Sequence, residues 1–452
     1  MSLLRAPDYD SYTPQRVRMV KKWTPRLVAF GELIDGYDLL VMGAAILFLQ
    51  SYFQLDNAHK GALTAIAFVG TAVGLLIFGK VTDRFGRRPV FMINLVFFVV
   101  ASIASAFVTE VWQLYLARFV LGVAVGMDIP VSQAFLAEIS PDARRGRTAG
   151  SLPNIMWLSG AIISVILAIA IAPLAGDSTW RWLFGVAAIP AFGVLLARRY
   201  LPESPRWLME HGREAEAEKV FAMLELDPEP ARRAVQRERE QRREPVKLRG
   251  PVLRRLIAVT AFFALQAFAG AIATVSGPMV LQATGFPKEW ALQWSLIGFV
   301  LGLVAVLIGA QLIDKVDRRR LGIITTGTLF LLGLLIGAFG GTSAAILVIC
   351  YVLFSFTTWF GPGVLSWVWS SEAMPTQLRG FGSGIAQSVT RLMIALNVFL
   401  VPMLLTGIGF WTVALYSVAY LICMVICIAN PWLSTTGKSL EEATDEETAI
   451  TR

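Results

Sequence analysis

Long apolar stretches separated by short polar segments run along most of the chain. Val90–Val108, Leu321–Phe339 and Trp411–Ile428 each reach about 18 residues, the length at which an apolar helix can span a bilayer. The whole pattern predicts twelve such helices, at 26–52, 61–79, 89–108, 111–136, 148–173, 181–201, 252–282, 289–313, 321–340, 343–371, 380–406 and 409–430. We therefore expect an all-α protein that crosses a membrane twelve times.

The composition also favours a membrane protein, because only 16% of the 452 residues are charged, against about 25% in a typical soluble domain. The net charge of +8 comes from basic loops on one side of the predicted bundle, so it does not indicate nucleic-acid binding. These loops are the amino terminus, Lys80–Arg88, Arg144–Arg147, Arg206–Arg255, Lys315–Arg320 and the segment at Arg379. Because Lys and Arg accumulate in cytoplasmic loops, we expect a multi-pass protein of the inner (cytoplasmic) membrane with both termini in the cytoplasm.

The predicted helices form two groups of six, joined by a polar linker. We predict a cytoplasmic amino terminus at 1–25, a first half at 26–201, a cytoplasmic linker at 202–251, a second half at 252–430 and a cytoplasmic tail at 431–452. The linker has the composition of two or three short helices. A segment of this size and charge is too small to bury the core of a separate enzymatic domain.

The two halves share loop motifs, which indicates an internal repeat. Gly79–Arg88 recurs as Ala310–Arg319, and Glu138–Gly146 recurs as Glu372–Gly380, at a nearly constant separation along the chain. Each motif follows the second or the fourth predicted helix of its half. Two parallel six-helix repeats predict a substrate site between the halves, near the middle of the membrane.

The charged residues of these motifs form a candidate gating cluster on the cytoplasmic side. An acid at the end of one helix can hold Arg residues of neighbouring helices and so lock one conformation. The alternative is that the basic loops only fix the topology. The candidates are Asp83, Arg84, Arg87, Arg88, Glu138, Arg145, Glu203, Arg206, Asp314, Arg318, Glu372 and Arg379.

Gly79–Arg88 and the repeat closely resemble the major facilitator superfamily of membrane transporters. Pro202–Leu208 and the tail segment Gly437–Glu442 are similar to motifs of its sugar-porter and metabolite branch. The resemblance extends over roughly residues 25–442 and implies transport by alternating access between the two sides of the membrane.

The chain departs from sugar porters where that family binds hydroxyl groups. The paired Gln of their seventh helix is reduced here to Gln266 followed by Ala267, and their fifth-helix Gln is replaced by Asn154. Trp367 does match the Trp of the tenth helix that stacks on sugar in that family. The resemblance therefore implies the fold strongly and the substrate weakly.

Three segments are similar to other branches of the superfamily. Asp35–Asp38 resembles a first-helix motif of proton symporters for aromatic acids and other metabolites, and Asp128–Ser132 resembles the fourth helix of phosphate symporters. Arg391 resembles an eleventh-helix Arg of organic-ion and organic-acid carriers. Together these traits are typical of bacterial metabolite transporters.

Ionisable residues inside predicted helices cost at least about 2.5–3.5 kcal/mol to insert, so each suggests a function. The sugar-porter pattern implies that Asp38 pairs with Arg118 in the first half. If the pair separates during the conformational change, Asp38 takes up a proton, and the proton leaves when the pair re-forms. The alternative is a static structural ion pair. Asp35 is a second proton-coupling candidate, and Asp128 is either a further acid of the proton path or a hydrogen-bonding partner in helix packing.

Arg391 is the clearest indication of substrate class, because a buried guanidinium suits a carboxylate or phosphate. The alternative is an Arg whose side chain extends toward the cytoplasmic surface. The remaining candidate substrate-binding residues are aromatic rings and amides. They are Asn154, Trp157, Gln266, Trp359, Trp367 and Asn397.

We expect a secondary active transporter that carries a small organic solute together with protons, with an organic acid or other anionic metabolite as substrate. Alternatives are a sugar or polyol symporter, proton-driven drug efflux and a non-transporting nutrient sensor. We expect no enzyme activity, because no nucleophilic triad or metal motif is present. The same survey predicts no cofactor beyond the proton gradient, no metal and no nucleic-acid partner. The expected partners are the solute, protons and lipid, and we expect a monomer.

Overall fold

The computed structural model describes residues 12–139, 152–241, 250–283, 285–313, 315–372 and 379–436. The first six membrane helices are α1 Pro14–Tyr52, α2 Asn57–Phe85, α3 Arg87–Phe107, α4 Val111–Ile139, α5 Leu152–Ala175 and α6 Thr179–Arg198. Three short helices of the linker follow, α7 Pro205–Glu210, α8 Glu214–Leu224 and α9 Pro228–Gln241. The predicted linker helices are thus present.

The second half begins with two pieces of one span, α10 Pro251–Gly270 and α11 Gly277–Gln282. The other helices are α12 Lys288–Leu312, α13 Arg318–Phe339, α14 Ala344–Thr358, α15 Val364–Glu372, α16 Arg379–Ile408 and α17 Trp411–Ala429, with a π-helical turn at Trp359–Gly363 joining α14 to α15. Over the described ranges the secondary structure is helical without strands, and the architecture of twelve spans in two halves is confirmed.

The predicted start of the first helix was wrong, because α1 begins at Pro14 rather than at residue 26. Thr13 caps it by accepting a hydrogen bond from the main-chain N–H of Arg16 at 3.3 Å, and proline is well suited to the first helical position. The extension is amphipathic, and its buried Val20 packs on the linker helices. Contacts with the linker helices therefore stabilise the helical form of a segment that we predicted to be an amino-terminal tail.

Spans seven and ten are interrupted rather than continuous. Ala271–Ser276 forms turns between α10 and α11, where Pro278 lies in the first turn of α11. The π-helical turn of the tenth span contains Pro362, which cannot donate a helical hydrogen bond. Interrupted helices in membrane proteins commonly lie where backbone groups line a cavity or a binding site.

Close backbone contacts bring the site-bearing helices together. A Cβ atom at Gly36 of α1 would lie 2.0 Å from the carbonyl oxygen of Trp157, so α1 and α5 can approach only because residue 36 lacks a side chain. Across the two halves, α2 packs along α16 and α5 packs along α12. The interface between the halves thus includes helices that also carry several of the predicted site residues.

Polar contacts join the halves on the side of the bundle opposite the linker helices, which we call the distal side. Gln50 donates to Gln282 and Asn57 to Thr406, each at 3.2 Å. Lys288 forms an ion pair with Asp177 at 3.2 Å. These contacts connect the ends of helices of both halves, so the distal side is bridged in this structure.

Candidate functional site

Asp38 and Arg118 form the ion pair that the sequence predicted. Arg118 Nη1 lies 3.0 Å from Asp38 Oδ2, and both side chains are completely shielded from solvent. Arg118 Nη2 also donates to the main-chain oxygen of Asp38 at 2.6 Å, and the guanidinium lies over the ring of Phe184. Among the described residues, Asp38 Oδ1 has no hydrogen-bond partner. One carboxylate oxygen is therefore neutralised and the other remains available for a proton.

A second buried ion pair joins Asp128 of α4 to Arg198 of α6 at 2.9 Å. Asn94 donates to Asp128 at 2.5 Å and Ser132 at 2.7 Å. Arg198 also donates to the main-chain oxygens of Leu27 and Val28 in α1, each at 3.2 Å.

These contacts give Asp128 a full set of partners, which matches the packing alternative of its two predicted roles. The prediction missed Arg198 and Asn94 altogether. Arg198 lies inside the predicted sixth span, and a cation in that position was the signal that could have identified it.

Glu32 and Asp35 of α1 have no such partners. Their side chains are 5% and 3% exposed, and Glu32 Oε1 and Asp35 Oδ2 accept no hydrogen bond from any described residue. Arg391 of α16 is close enough to both carboxylates to interact with them electrostatically, yet it forms no ion pair with either in the described part of the chain. Its Nε is buried without a partner. Arg391 thus lies within electrostatic reach of acids of the other half.

Aromatic side chains from both halves meet beside the described interface. The rings of Trp157 in α5 and Trp359 in the π-helical turn lie 5.8 Å apart at an angle of 52°. Trp359 Nε1 is buried and has no hydrogen-bond partner among the described residues. Trp367 packs edge-on against Phe263 at 5.4 Å. The predicted aromatic lining is thus brought together at Trp157 and Trp359, whereas Trp367 packs within its own half.

The predicted amides differ in their surroundings. Asn154 lies one turn before Trp157 on the same face of α5 and is partly buried. Gln266 of α10 is 6% exposed. Asn397 is completely buried and donates to the main-chain oxygen of Phe268 at 2.5 Å. In this conformation its amide nitrogen contributes to the packing between α16 and α10, while its Oδ1 has no hydrogen-bond partner among the described residues.

On the linker side of the first half, Glu203 caps the start of α3. Its carboxylate accepts hydrogen bonds from the main-chain N–H groups of Arg87 at 2.8 Å and Arg88 at 3.3 Å. Burial raises the pKa of Glu203 above the usual range of a glutamate, while the main-chain donors oppose that rise. Glu138 pairs with Arg87 at 3.1 Å and accepts a hydrogen bond from Ser204. These contacts connect α3, α4 and the linker.

Asp83 has a smaller part in this network than the sequence predicted. Its carboxylate is 79% exposed and lies 3.9 Å from the Arg87 guanidinium, so the buried acids that hold Arg87 and Arg88 are Glu138 and Glu203. Only the main-chain oxygen of Asp83 is firmly held, by Trp207 Nε1 at 2.9 Å.

The side chains of the other described gating candidates of this half have contacts of their own. Arg84 lies over the ring of Phe85, Arg206 pairs with Glu210 at 3.2 Å, and the Arg88 side chain donates to the main-chain oxygen of Arg199 at 2.9 Å. Arg145 lies outside the described residues.

The second half forms its linker-side contacts with the tail. Arg318 donates to the hydroxyl oxygen of Thr435 at 2.9 Å, and Ser434 donates to Asp317. Asp317 also caps α13 by accepting from the main-chain N–H of Arg320 at 2.8 Å. Asp314 and the side chains of Glu372 and Arg379 lie outside the described part of the structure.

A comparison with protein families matches residues 26–446 to the family described as sugar (and other) transporter. A D-xylose transporter of Levilactobacillus brevis is 30% identical over 441 residues, with 92% of this chain and 93% of that protein covered. The major myo-inositol transporter IolT of Bacillus subtilis is 30% identical over 433 residues, with 91% of each chain covered.

Solved structures support the same architecture. The proton:xylose symporter XylE, of the major facilitator superfamily and bound to 6-bromo-6-deoxy-D-glucose, aligns with a TM-score of 0.78 at 22% identity, covering 96% of this chain and 100% of that one. A partially occluded inward open conformation of XylE from E. coli gives a TM-score of 0.78 at 21% identity, covering 91% and 98%. At this identity the likeness shows the fold.

Proposed function

The chain belongs to the sugar (and other) transporter family and is a multi-pass membrane transporter of the major facilitator fold, and we propose that it carries a neutral sugar or polyol together with protons. It is not an enzyme, and transporters of this family need no cofactor. The proposal for the substrate rests on the relatives named for D-xylose and myo-inositol, both neutral polyhydroxyl compounds.

The expected organic-acid substrate is not supported, and the sugar or polyol alternative fits better. Arg391, on which the organic-acid expectation rested, lies within electrostatic reach of two buried acids of the other half, Glu32 and Asp35. Because it already has acidic neighbours, it does not by itself indicate an anionic substrate.

The observation that carries proton coupling is the arrangement around Asp38. This completely buried carboxylate has one compensating cation, Arg118, among the described residues, and one oxygen without a partner. A movement that separates the pair would leave an uncompensated buried charge, which binding of a proton removes. Re-formation of the pair would release that proton, so substrate movement and proton movement become linked.

We further propose that the linker side faces the cytoplasm, because the basic motifs around Arg87 and Arg318 lie there. Both chain termini are on this side in the proposal. The monomeric state stays a prediction.

Uptake into proteoliposomes of the purified protein tests the proposed function. With the outside more acidic than the inside, labelled D-xylose or myo-inositol should accumulate inside above its external concentration. A protonophore should lower the internal concentration to the external one. Uptake of either solute that is unaffected by the protonophore would contradict proton coupling. Failure to take up or bind any member of a wider sugar and polyol panel would contradict the substrate class.

A further inference from the structure

Three ionisable side chains inside the membrane region are not used by the Asp38–Arg118 pair. Glu32 and Asp35 lie one turn apart on α1, and Arg391 lies on α16 of the other half. All three have a buried polar atom without a hydrogen-bond partner among the described residues. Buried polar atoms are nearly always satisfied in proteins, and an exception in a membrane interior requires an explanation.

The neighbouring Asp128–Arg198 pair shows that this part of the fold can satisfy buried charges when their role is structural. Asp128 accepts from Arg198, Asn94 and Ser132, whereas Glu32 and Asp35 on the adjoining helix lack equivalent donors in the described residues. The structural network around Asp128 therefore does not hold Glu32 and Asp35.

We propose that Glu32, Asp35 and Arg391 form a subsite that binds hydroxyl groups of the transported solute between the two halves. This inference rests on the proposed function, since it assigns the side chains that recognise a neutral polyol. A hydroxyl group donates to a carboxylate and accepts from a guanidinium at the same time, so neighbouring hydroxyls of one ring can satisfy both helices. The hydrogen bond to the guanidinium would be charge-assisted and therefore strong.

A neutral polyol complements all three groups, because its hydroxyls can donate to the two acids and accept from Arg391. Trp157 and Trp359 add an apolar surface from both halves, and the unpartnered Trp359 Nε1 adds a further donor. The subsite thus compensates for the hydroxyl-binding amide that the sequence lacks at Ala267.

A solute held in this way would connect α1 of the first half with α16 of the second. Because binding can shift a conformational equilibrium only through contacts that differ between states, a ligand that bridges the halves favours the state in which they are close. The same three residues would then determine specificity and couple binding to the movement of the halves.

Binding of D-xylose and myo-inositol to purified variants tests the subsite. Glu32→Gln and Asp35→Asn should each weaken binding of the solute that wild type binds by about 5-fold or more, because an NH2 group that cannot accept a hydrogen bond replaces one oxygen of the acid. Arg391→Met should weaken it further. The ligand-free melting temperatures of the two amide variants should not fall, since the carboxylates have no partners to lose. Glu289→Gln, an exposed acid at the start of α12, is the matched control and should bind normally.

Monodeoxy analogues of the bound solute separate direct contact from an indirect effect. At least one analogue should bind wild type more weakly yet show no further loss in Asp35→Asn or Glu32→Gln, because the variant has already lost that contact. Unchanged solute affinity in all three variants would overturn the subsite and leave the proposed function intact. Wild type that binds a zwitterion and no polyol would overturn both.

Discussion

The two halves of the molecule share a fold and loop motifs but differ in where they bury charge. The first half contains two buried ion pairs, Asp38–Arg118 and Asp128–Arg198. Among the described residues of the second half Arg391 is the charged side chain that lies away from the ends of the spans, and Ala269 occupies the position equivalent to Asp38 when Gly79 is aligned with Ala310. The second half instead has interrupted helices and aromatic rings. The proposed proton-coupling pair thus belongs to one repeat and has no counterpart at the equivalent position of the other.

A similar contrast is found at the start of the third helix of each half. Gly86 cannot cap α3, and Glu203 of the linker supplies the carboxylate. In the same alignment of the repeats Asp317 is equivalent to Gly86 and caps α13 directly, while Ser434 is equivalent to Glu203 and donates to Asp317. The capping carboxylate therefore comes from the linker in the first half and from the residue just before the helix in the second. Both solutions place a negative charge at a helix amino terminus, where it is favourable.

The largest effect should come from the pair that the second half lacks. Asp38→Asn removes the titratable group, so accumulation driven by a pH gradient should be abolished while exchange of solute across the membrane remains measurable. Counterflow measures solute exchange, and uptake driven by a pH gradient measures accumulation, both in the same proteoliposomes. Gradient-driven accumulation by this variant at the wild-type level would show that another residue binds the proton.

The second pair should matter for stability more than for coupling. Arg198→Met leaves Asp128 buried without its cation and should cost about 3–5 kcal/mol of stability, seen as a lower melting temperature. Adding Asp128→Leu should recover part of the loss, because the uncompensated charge is then removed. If the single variant melts like wild type, the pair does not have the structural role that its contacts indicate.

The two helix caps should differ by a smaller amount. Glu203→Ala removes the carboxylate that two main-chain N–H groups of α3 need and should destabilise the protein by about 1–3 kcal/mol. Ser434→Ala leaves Asp317 in place on α13 and should cost about 0.5–1 kcal/mol. Thermal unfolding of both variants in the same detergent makes the comparison. Equal losses of stability would mean that it makes no energetic difference whether the linker or the helix start supplies the capping carboxylate.

Asp83→Asn should have the smallest effect, although the motif that contains it identified the family. The carboxylate is mostly exposed and lies at the limit of an ion pair with Arg87, and such pairs contribute about 0–1 kcal/mol. Solute affinity should be unchanged and turnover should fall less than in Glu138→Gln, which breaks the buried contact to Arg87. A turnover defect larger than that of Glu138→Gln would restore Asp83 as the main gating acid.

Much of the architecture could be predicted from the sequence because bilayer spans have a strong apolar signal. The repeat of Gly79–Arg88 indicated two halves, and the family pattern implied the Asp38–Arg118 pair. The early start of α1 could not be predicted from hydropathy, since contacts with the linker stabilise it. The break before α11 was also missed, because the segment is apolar throughout and only Gly277-Pro278 marks the interruption.

The site was predicted less completely than the fold. The sequence identified Asp35 and Arg391 as unusual, because ionisable residues are rare inside spans. It did not show that Arg391 lies within electrostatic reach of the acids of the other half. Sequence spacing cannot show which side chains meet across two separate bundles. For the same reason Arg198 was missed as the partner of Asp128, and the contact of Asn397 with the main chain of α10 was not foreseen.

Measurement of solute-driven proton movement tests the central claim most directly. Proteoliposomes that contain wild-type protein and an internal pH indicator receive D-xylose or myo-inositol on the outside, with no initial pH gradient. The account predicts that the lumen becomes more acidic in step with uptake of the transported solute, and that Asp38→Asn vesicles take up solute without acidification. Wild-type uptake with no change of internal pH would contradict it.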